Sequence, residues 1–262
     1  MNSKPRIHQI DPKSSTAKSV ISKRFINMKT ETKNCQNCKT DFVIDAEDFN
    51  FYEKIKVPPP TFCPDCRQMR RFIQTNETVL YKRKCDFTNK DVFSMYPPET
   101  IFPVYDTEVW YSDSWDAYQY GQDYDFTRSF FEQFLELQDK VPRMALVRQG
   151  FAVNSPYAHR VSDPKNSYMT FRATSPEDCS YIYNGIRTKD CNDSAWIFDS
   201  ELCYECINVE KCYNLKFCQE SKDCRDSAFL FACRNCSNCV GCVNLVSAEY
   251  CILNEKYSKE EY

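Results

Sequence analysis

Cys203-Tyr204-Glu205-Cys206-Ile207-Asn208-Val209-Glu210-Lys211-Cys212-Tyr213-Asn214-Leu215-Lys216-Phe217-Cys218 places a small or apolar residue at every third position. The register holds outward in both directions. From Cys179 to Cys251 the last twelve cysteines are separated throughout by multiples of three, and Ile182, Ser194, Ile197, Leu230 and Leu245 fill gaps in the same class. Chance would place twelve cysteines in one class roughly once in 10⁵, so the segment is a repeat.

A period of three belongs neither to an α-helix nor to a flat strand. It suits a narrow coil whose short segments each send one side chain inward before the chain turns. Cys179, Cys191 and Cys203 recur every twelve residues, which gives four segments per coil; Cys206, Cys224 and Cys242 recur every eighteen, which leaves wider coils open. In either case like side chains stack from coil to coil, as in parallel β-helices. The spacing resembles that of the narrow β-helices of some insect antifreeze proteins. The sequence thus predicts a mainly β chain with a cysteine-lined parallel β-solenoid over residues 166–257. Its thiols are expected to be reduced, acting as small hydrophobes that fill the lumen. The competing expectation is a thiol-based metal or redox site.

Upstream, Cys35-Gln36-Asn37-Cys38 and Cys63-Pro64-Asp65-Cys66 are two C-x2-C pairs with 24 residues between them. Two such turns supply four thiolates to one tetrahedral ion, which points to a single structural zinc on Cys35, Cys38, Cys63 and Cys66 with no open coordination position. A knuckle first and a helix-start pair second is the treble-clef arrangement, assigned to residues 34–84. Val57-Pro58-Pro59-Pro60 interrupts the context that a thioredoxin-like dithiol needs. Up to Lys84 the chain carries 17 Lys/Arg against 9 Asp/Glu, and beyond it 17 against 28. This basic head allows nucleic acid as a partner, with Arg67, Arg70, Arg71, Lys82, Arg83 and Lys84 as the phosphate-binding candidates. Residues 1–33 are polar and lack periodicity, as in a flexible basic tail.

Residues 85–165 form an aromatic connector in which Tyr105, Trp110, Trp115 and Tyr120 alternate with acids. Packing between layers suits such rings better than stacking on sugars. Ser129-Phe130-Phe131-Glu132 has capping-box spacing and opens an amphipathic helix over 129–140, whose face of Phe130, Phe131, Phe134, Leu135 and Leu137 could cap a solenoid end or join a partner, capping being the simpler role. Ser258-Lys259-Glu260-Glu261 repeats the spacing, as if 258–262 began a helix that a longer chain would continue.

Other classes are poorly supported. Four glycines and no Gly-x-Gly-x-x-Gly or Walker lysine argue against phosphate-loop folds. His159, with Ser155 near it in sequence, is the only histidine outside the tail, and a histidine satisfied within a loop is the simpler reading than a catalytic pair. Met1 to Thr40 hold no apolar run long enough for a signal or membrane span, so a cytoplasmic location is expected by default.

Cys35-x2-Cys38, Phe62-Cys63-Pro64-x-Cys66-Arg67 and Arg70-Arg71 resemble the zinc-binding treble-clef domain of small bacterial proteins. With Lys84-Cys85-Asp86, Trp115, Phe130-Phe131-Glu132, Cys203-x2-Cys206 and Cys239-x2-Cys242, the chain resembles uncharacterised cysteine-rich proteins of candidate-phyla bacteria over most of residues 34–262. Where those relatives commonly have a glycine this chain has Asn89, which tolerates the left-handed conformation. The resemblance carries no activity with it. The reading is a non-catalytic zinc-binding scaffold or interaction protein with an unidentified protein partner.

Overall fold

The computed structural model describes residues 30–73 and 75–262, so most of the tail expected over 1–33 lies outside the described residues. The chain divides into two compact units, one ending at Thr75 and one beginning at Asn76.

In the first unit β1 (Glu31–Asn34) pairs antiparallel with β2 (Asp41–Ile44), and α1 (Ala46–Lys54) and α2 (Pro64–Phe72) follow. The strand therefore begins inside what reads as tail. Alternation along β2 turns Phe42 and Ile44 inward, where they join Cys35, Cys63 and Cys66 in a small core edged by Phe49, Tyr52 and Phe62. Cys63 is the N-cap of α2 and Pro64 its first residue, a position where the missing N–H costs nothing.

The second unit opens with the antiparallel pair β3 (Tyr81–Lys84) and β4 (Asp91–Ser94). This corrects the module boundary expected at Lys84, because the ladder partners of Tyr81 to Lys84 lie downstream. Then come β5 (Val104–Tyr105), α3 (Thr107–Trp110), α4 (Phe130–Lys140) and β6 (Arg143–Met144), with β5 parallel to β6. The aromatic rings do pack on one another: Tyr105 meets Trp115 edge-on at 5.7 Å, and Trp110 lies 4.7 Å from Trp115.

The helix at 129–140 forms, but two expectations for it fail. The Ser129 side chain makes no cap hydrogen bond. Gln133 organises the entry instead: its amide donates to the Asp125 carbonyl at 2.9 Å and its Oε1 accepts from the Asp125 N–H at 2.8 Å. Gln133 is consequently the buried residue of α4, while Phe130, Phe131, Phe134 and Leu135 are exposed. The face expected to cap the solenoid looks outward, since the preceding loop is tied to the helix through Gln133 and not through the phenylalanines.

The solenoid makes about nine turns over residues 148–252. It begins upstream of residue 166 because its first coils are lined by Ser155, Ala158 and Val161, not cysteine. Register settles the coil length at twelve: Tyr213 pairs with Arg225, Arg225 with Ser237 and Ser237 with Glu249, all parallel. Four sides of three residues therefore send four side chains into each layer. The residue before each inward one is left-handed, from Arg160 (φ 55°) to Tyr250 (φ 56°). Asn and Asp are the commonest occupants, as the local hydrogen-bonding capacity of their side chains favours. That is how a chain with four glycines turns so many corners, with only Gly150 (φ 68°) and Gly241 (φ 66°) used in left-handed positions.

From Cys179 onward each layer holds one bulky aliphatic residue among small ones. Cys203, Cys206 and Cys212 surround Val209, and Cys218, Ser221 and Cys224 surround Leu215. Gly185 completes the layer of Ile182, where an added Cβ would come within 2.8 Å of Ile182 Cγ2. Beyond the last coil, Glu255–Lys256 folds back antiparallel on Glu249–Ile252. The box at Ser258 then closes reciprocally, the Ser258 N–H donating to Glu261 Oε2 (3.1 Å) and the Glu261 N–H to Ser258 Oγ (3.3 Å).

Candidate metal centre

The first Cys-x2-Cys pair sits in the turn between β1 and β2. The Cys35 N–H donates to the Thr40 carbonyl (3.0 Å), the Lys39 N–H to the Cys35 carbonyl (3.0 Å), and Lys39 takes a left-handed φ of 62°. The second pair occupies the N-cap and first turn of α2. The Gln36 N–H donates to the Thr61 carbonyl at 3.0 Å and locks the two together.

The sulfurs of Cys35, Cys38, Cys63 and Cys66 all lie within 4.8 Å of one another. Four sulfurs held about 2.3 Å from a central ion stand about 3.8 Å apart; those of Cys38 and Cys63 are 3.7 Å apart. The surroundings suit thiolates. The Cys63 N–H donates to Cys35 Sγ (3.2 Å) and the Asn37 amide to Cys66 Sγ (3.3 Å). Burial raises the Cys35 thiol, but the N–H groups of Cys63, Cys38 and Asn37 outweigh it and bring it down to about 6. Cys63 is pushed up to about 12: the N–H of Cys66 lowers it, and burial and the three neighbouring thiols prevail. One member ionises easily and another resists, the behaviour of thiols whose full ionisation needs a cation among them. Geometry and donor chemistry make the four residues compatible with one metal ion.

The basic candidates separate. Arg67, Arg70 and Arg71 lie on α2, with Arg70 and Arg71 exposed and the Arg70 guanidinium 5.0 Å from the Phe62 ring centre. Lys82, Arg83 and Lys84 belong to the other unit. There Arg83 is buried, donating to Asp86 (2.9 Å), the Pro97 carbonyl (2.9 Å) and Thr100 Oγ1 (2.7 Å), which removes it from the phosphate-binding set. Lys84 pairs with Asp91 at 2.9 Å, and Lys82 is exposed.

His159 is fully buried. Its Nδ1 accepts from the Val147 N–H and its Nε2 faces the Asn76 carbonyl, each at 3.2 Å. Burial drives its pKa down to about 4, so the ring is neutral and Nε2 donates. Ser155 Oγ donates to the Val153 carbonyl (2.8 Å) and accepts from the Ser167 N–H (2.9 Å). Both polar groups are spent on backbone.

The solenoid thiols do more than fill space. Cys191 Sγ lies 3.1 Å from the Lys189 carbonyl and Cys212 Sγ 3.2 Å from that of Glu210, each donating two residues back along its own coil. The inward N–H twelve residues on is in turn received by the side chain beneath it: Cys206 N–H by Ser194 Oγ (3.0 Å), Cys239 N–H by Ser227 Oγ (3.0 Å), Leu230 N–H by Cys218 Sγ (3.4 Å). Cys and Ser alternate here because each both donates and accepts within a small volume. Burial pushes Cys212 up to about 11 and Cys224 and Cys239 to about 12, so these thiols stay protonated. Among the described residues, the four N-terminal cysteines alone form a group of three or more His, Cys, Asp or Glu close enough to share an ion. The hydrogen-bonding role went unread in the sequence, although serine sharing the cysteine register was its signal.

Compared with models of protein families and with curated proteins, the chain matches none. No helix of the described residues is long and apolar enough to cross a membrane.

Proposed function

We propose that the protein is a non-catalytic scaffold or interaction protein whose first unit is a treble clef closed by one structural zinc ion. The carrying observation is the set of four sulfurs within 4.8 Å of one another, two from a hairpin turn and two from a helix start. Four soft thiolates on rigid turns favour zinc over harder cations and leave no position for substrate. Elemental analysis of protein purified under reducing conditions should find one zinc per chain; stoichiometric iron or no metal would overturn the assignment.

The interaction half of the reading rests on α4. Phe130, Phe131 and Phe134 are 55, 77 and 44% exposed, and Phe126 just before them is 90% exposed. Clustered exposed aromatics of this kind mark protein contacts. Polar or charged replacements of Phe131 and Phe134 should leave folding intact and abolish any protein association the chain shows.

Nucleic acid is the second reading, favoured by the exposed Arg70 and Arg71. It predicts binding that weakens steeply with salt and is lost in Arg70→Glu/Arg71→Glu.

A further inference from the structure

Cys85 is buried in the second unit, and belongs neither to the four-cysteine group nor to the solenoid's core cluster. Its surroundings repeat those of Cys35 bond for bond. Fifty residues separate equivalent positions in the two hairpins: Glu31 pairs with Ile44 and Asn34 with Asp41, as Tyr81 pairs with Ser94 and Lys84 with Asp91. The turns match too. The Cys85 N–H donates to the Lys90 carbonyl (2.9 Å) and the Asn89 N–H to the Cys85 carbonyl (2.8 Å), as Cys35 does with Thr40 and Lys39 with Cys35. Asn89 takes φ 58° where Lys39 takes 62°. Across the first strand pair, Lys84 Nζ reaches Asp91 Oδ1 at 2.9 Å, as Asn34 Nδ2 reaches Asp41 Oδ1 at 2.9 Å.

The equivalence continues into the helix at a second constant offset, of 43 residues. The Asp86 N–H donates to the Val104 carbonyl at 3.0 Å, as Gln36 does to Thr61 at 3.0 Å. The Asp106 N–H donates to Cys85 Sγ at 3.2 Å, as Cys63 does to Cys35 Sγ at 3.2 Å. Asp106 is the N-cap of α3 as Cys63 is of α2. The sulfur of Cys85 gathers N–H groups from Asp106, Thr88 and Phe87, the counterparts of Cys63, Cys38 and Asn37 around Cys35.

We infer that residues 81–110 are a second copy of the cysteine module, a latent four-thiolate metal site in which Cys85 survives and Thr88, Asp106 and Val109 occupy the places of Cys38, Cys63 and Cys66. Where the first copy gathers thiolates, the second has an Asp86 carboxylate that accepts from Arg83 (2.9 Å) and from the Val104 N–H (2.6 Å), and it buries Val104 and Tyr105. Ion pairing and apolar burial hold together the hairpin and helix that a metal would join.

The test restores the ligands in the full chain, with Thr88→Cys, Asp106→Cys and Val109→Cys combined. Titrated with cobalt(II) under reducing conditions, the triple variant should bind one equivalent more than the parent, with the absorption of a tetrahedral thiolate site. Adding Cys85→Ser should remove about a quarter of the new ion's thiolate charge-transfer intensity and weaken its binding. A folded triple variant that binds no more cobalt than the parent overturns the inference. A triple variant that is unfolded alone and folds on adding zinc supports it; one that stays unfolded with zinc in excess counts against it.

Discussion

Four cysteines of the first unit converge on one point, whereas the solenoid's twelve are strung along its lumen, mostly one to a side. The same side chain does opposite work in the two regions, and the backbone decides which. In Cys35-x2-Cys38 a tight turn brings two sulfurs to one place and N–H groups favour their charge. In the solenoid a left-handed residue before each inward one limits every side to a single side chain, and burial keeps thiols such as Cys212, Cys224 and Cys239 protonated. Two residues between cysteines make a ligand pair only when the turn lets both point the same way. Cys203-x2-Cys206 and Cys239-x2-Cys242 share that spacing and line adjacent sides of a coil instead.

The largest effect that separates the regions is metal dependence. Cys63→Ser removes one of four ligands from a unit whose core cluster has only five buried residues, Cys35, Phe42, Ile44, Cys63 and Cys66. So small a core would gain much of its stability from a bound ion. The first unit should unfold and the metal content fall below a tenth of the parent's, with the solenoid's melting transition unchanged. Full metal retention by this variant would end the assignment of the centre.

Next in size is overpacking in the lumen. Cys218 is fully buried in the layer of Leu215, Ser221 and Cys224. A second bulky side chain there breaks the pattern of one per layer, so Cys218→Phe should cost about 3 kcal/mol or more. Cys218→Ala and Cys218→Val should cost about 1–2 kcal/mol. Denaturant unfolding that ranks Phe beside Ala would mean that the lumen is roomier than its packing requires.

Much of this architecture was legible in advance. The period of three, the four ligands and the small lumen residues are local facts that a chain displays directly. The coil length was not, because cysteines recur at both twelve and eighteen, and strand pairing alone distinguishes them. The outward turn of Phe130 and Phe131 was hidden for another reason: periodicity marks an apolar face, but Gln133, bonded to a loop eight residues away, sets which way it points. Arg83 likewise reads as surface charge until Asp86 and Thr100 are seen to enclose it.

Acid should act differently on the two regions. In the first, protonation of the four thiolates would release a bound ion. In the second, His159 has a folded pKa of about 4 against an ordinary value near 6.5. A lowered histidine pKa contributes stability that is complete above about 6.5 and is lost as pH falls toward 4, amounting to about 2–3 kcal/mol. Between pH 7 and 4.5 the solenoid of the parent should therefore lose about 2 kcal/mol more than that of His159→Gln, which cannot titrate. Equal losses in the two proteins would show that protonation of His159 is not resisted by the fold.

The smallest effect probes the hydrogen-bonding role that distinguishes lumen residues from inert filler. Ser227 Oγ donates to the Arg225 carbonyl at 2.7 Å and receives the Cys239 N–H at 3.0 Å. Ser227→Ala changes the volume little and strips the Cys239 N–H of its acceptor, whereas Ser227→Cys keeps a donor and an acceptor of nearly the same size. A buried N–H left unpaired costs about 1–3 kcal/mol. The low end applies here, because Ser227 itself stands over Leu215, its partner in the coil below, which offers its N–H no side-chain acceptor. Ser227→Ala should thus destabilise the solenoid by about 1 kcal/mol and Ser227→Cys by less than half of that, with amide exchange at Cys239 accelerated in the alanine variant only. If alanine proved as stable as cysteine, the thiols and hydroxyls of the lumen would be there for size alone.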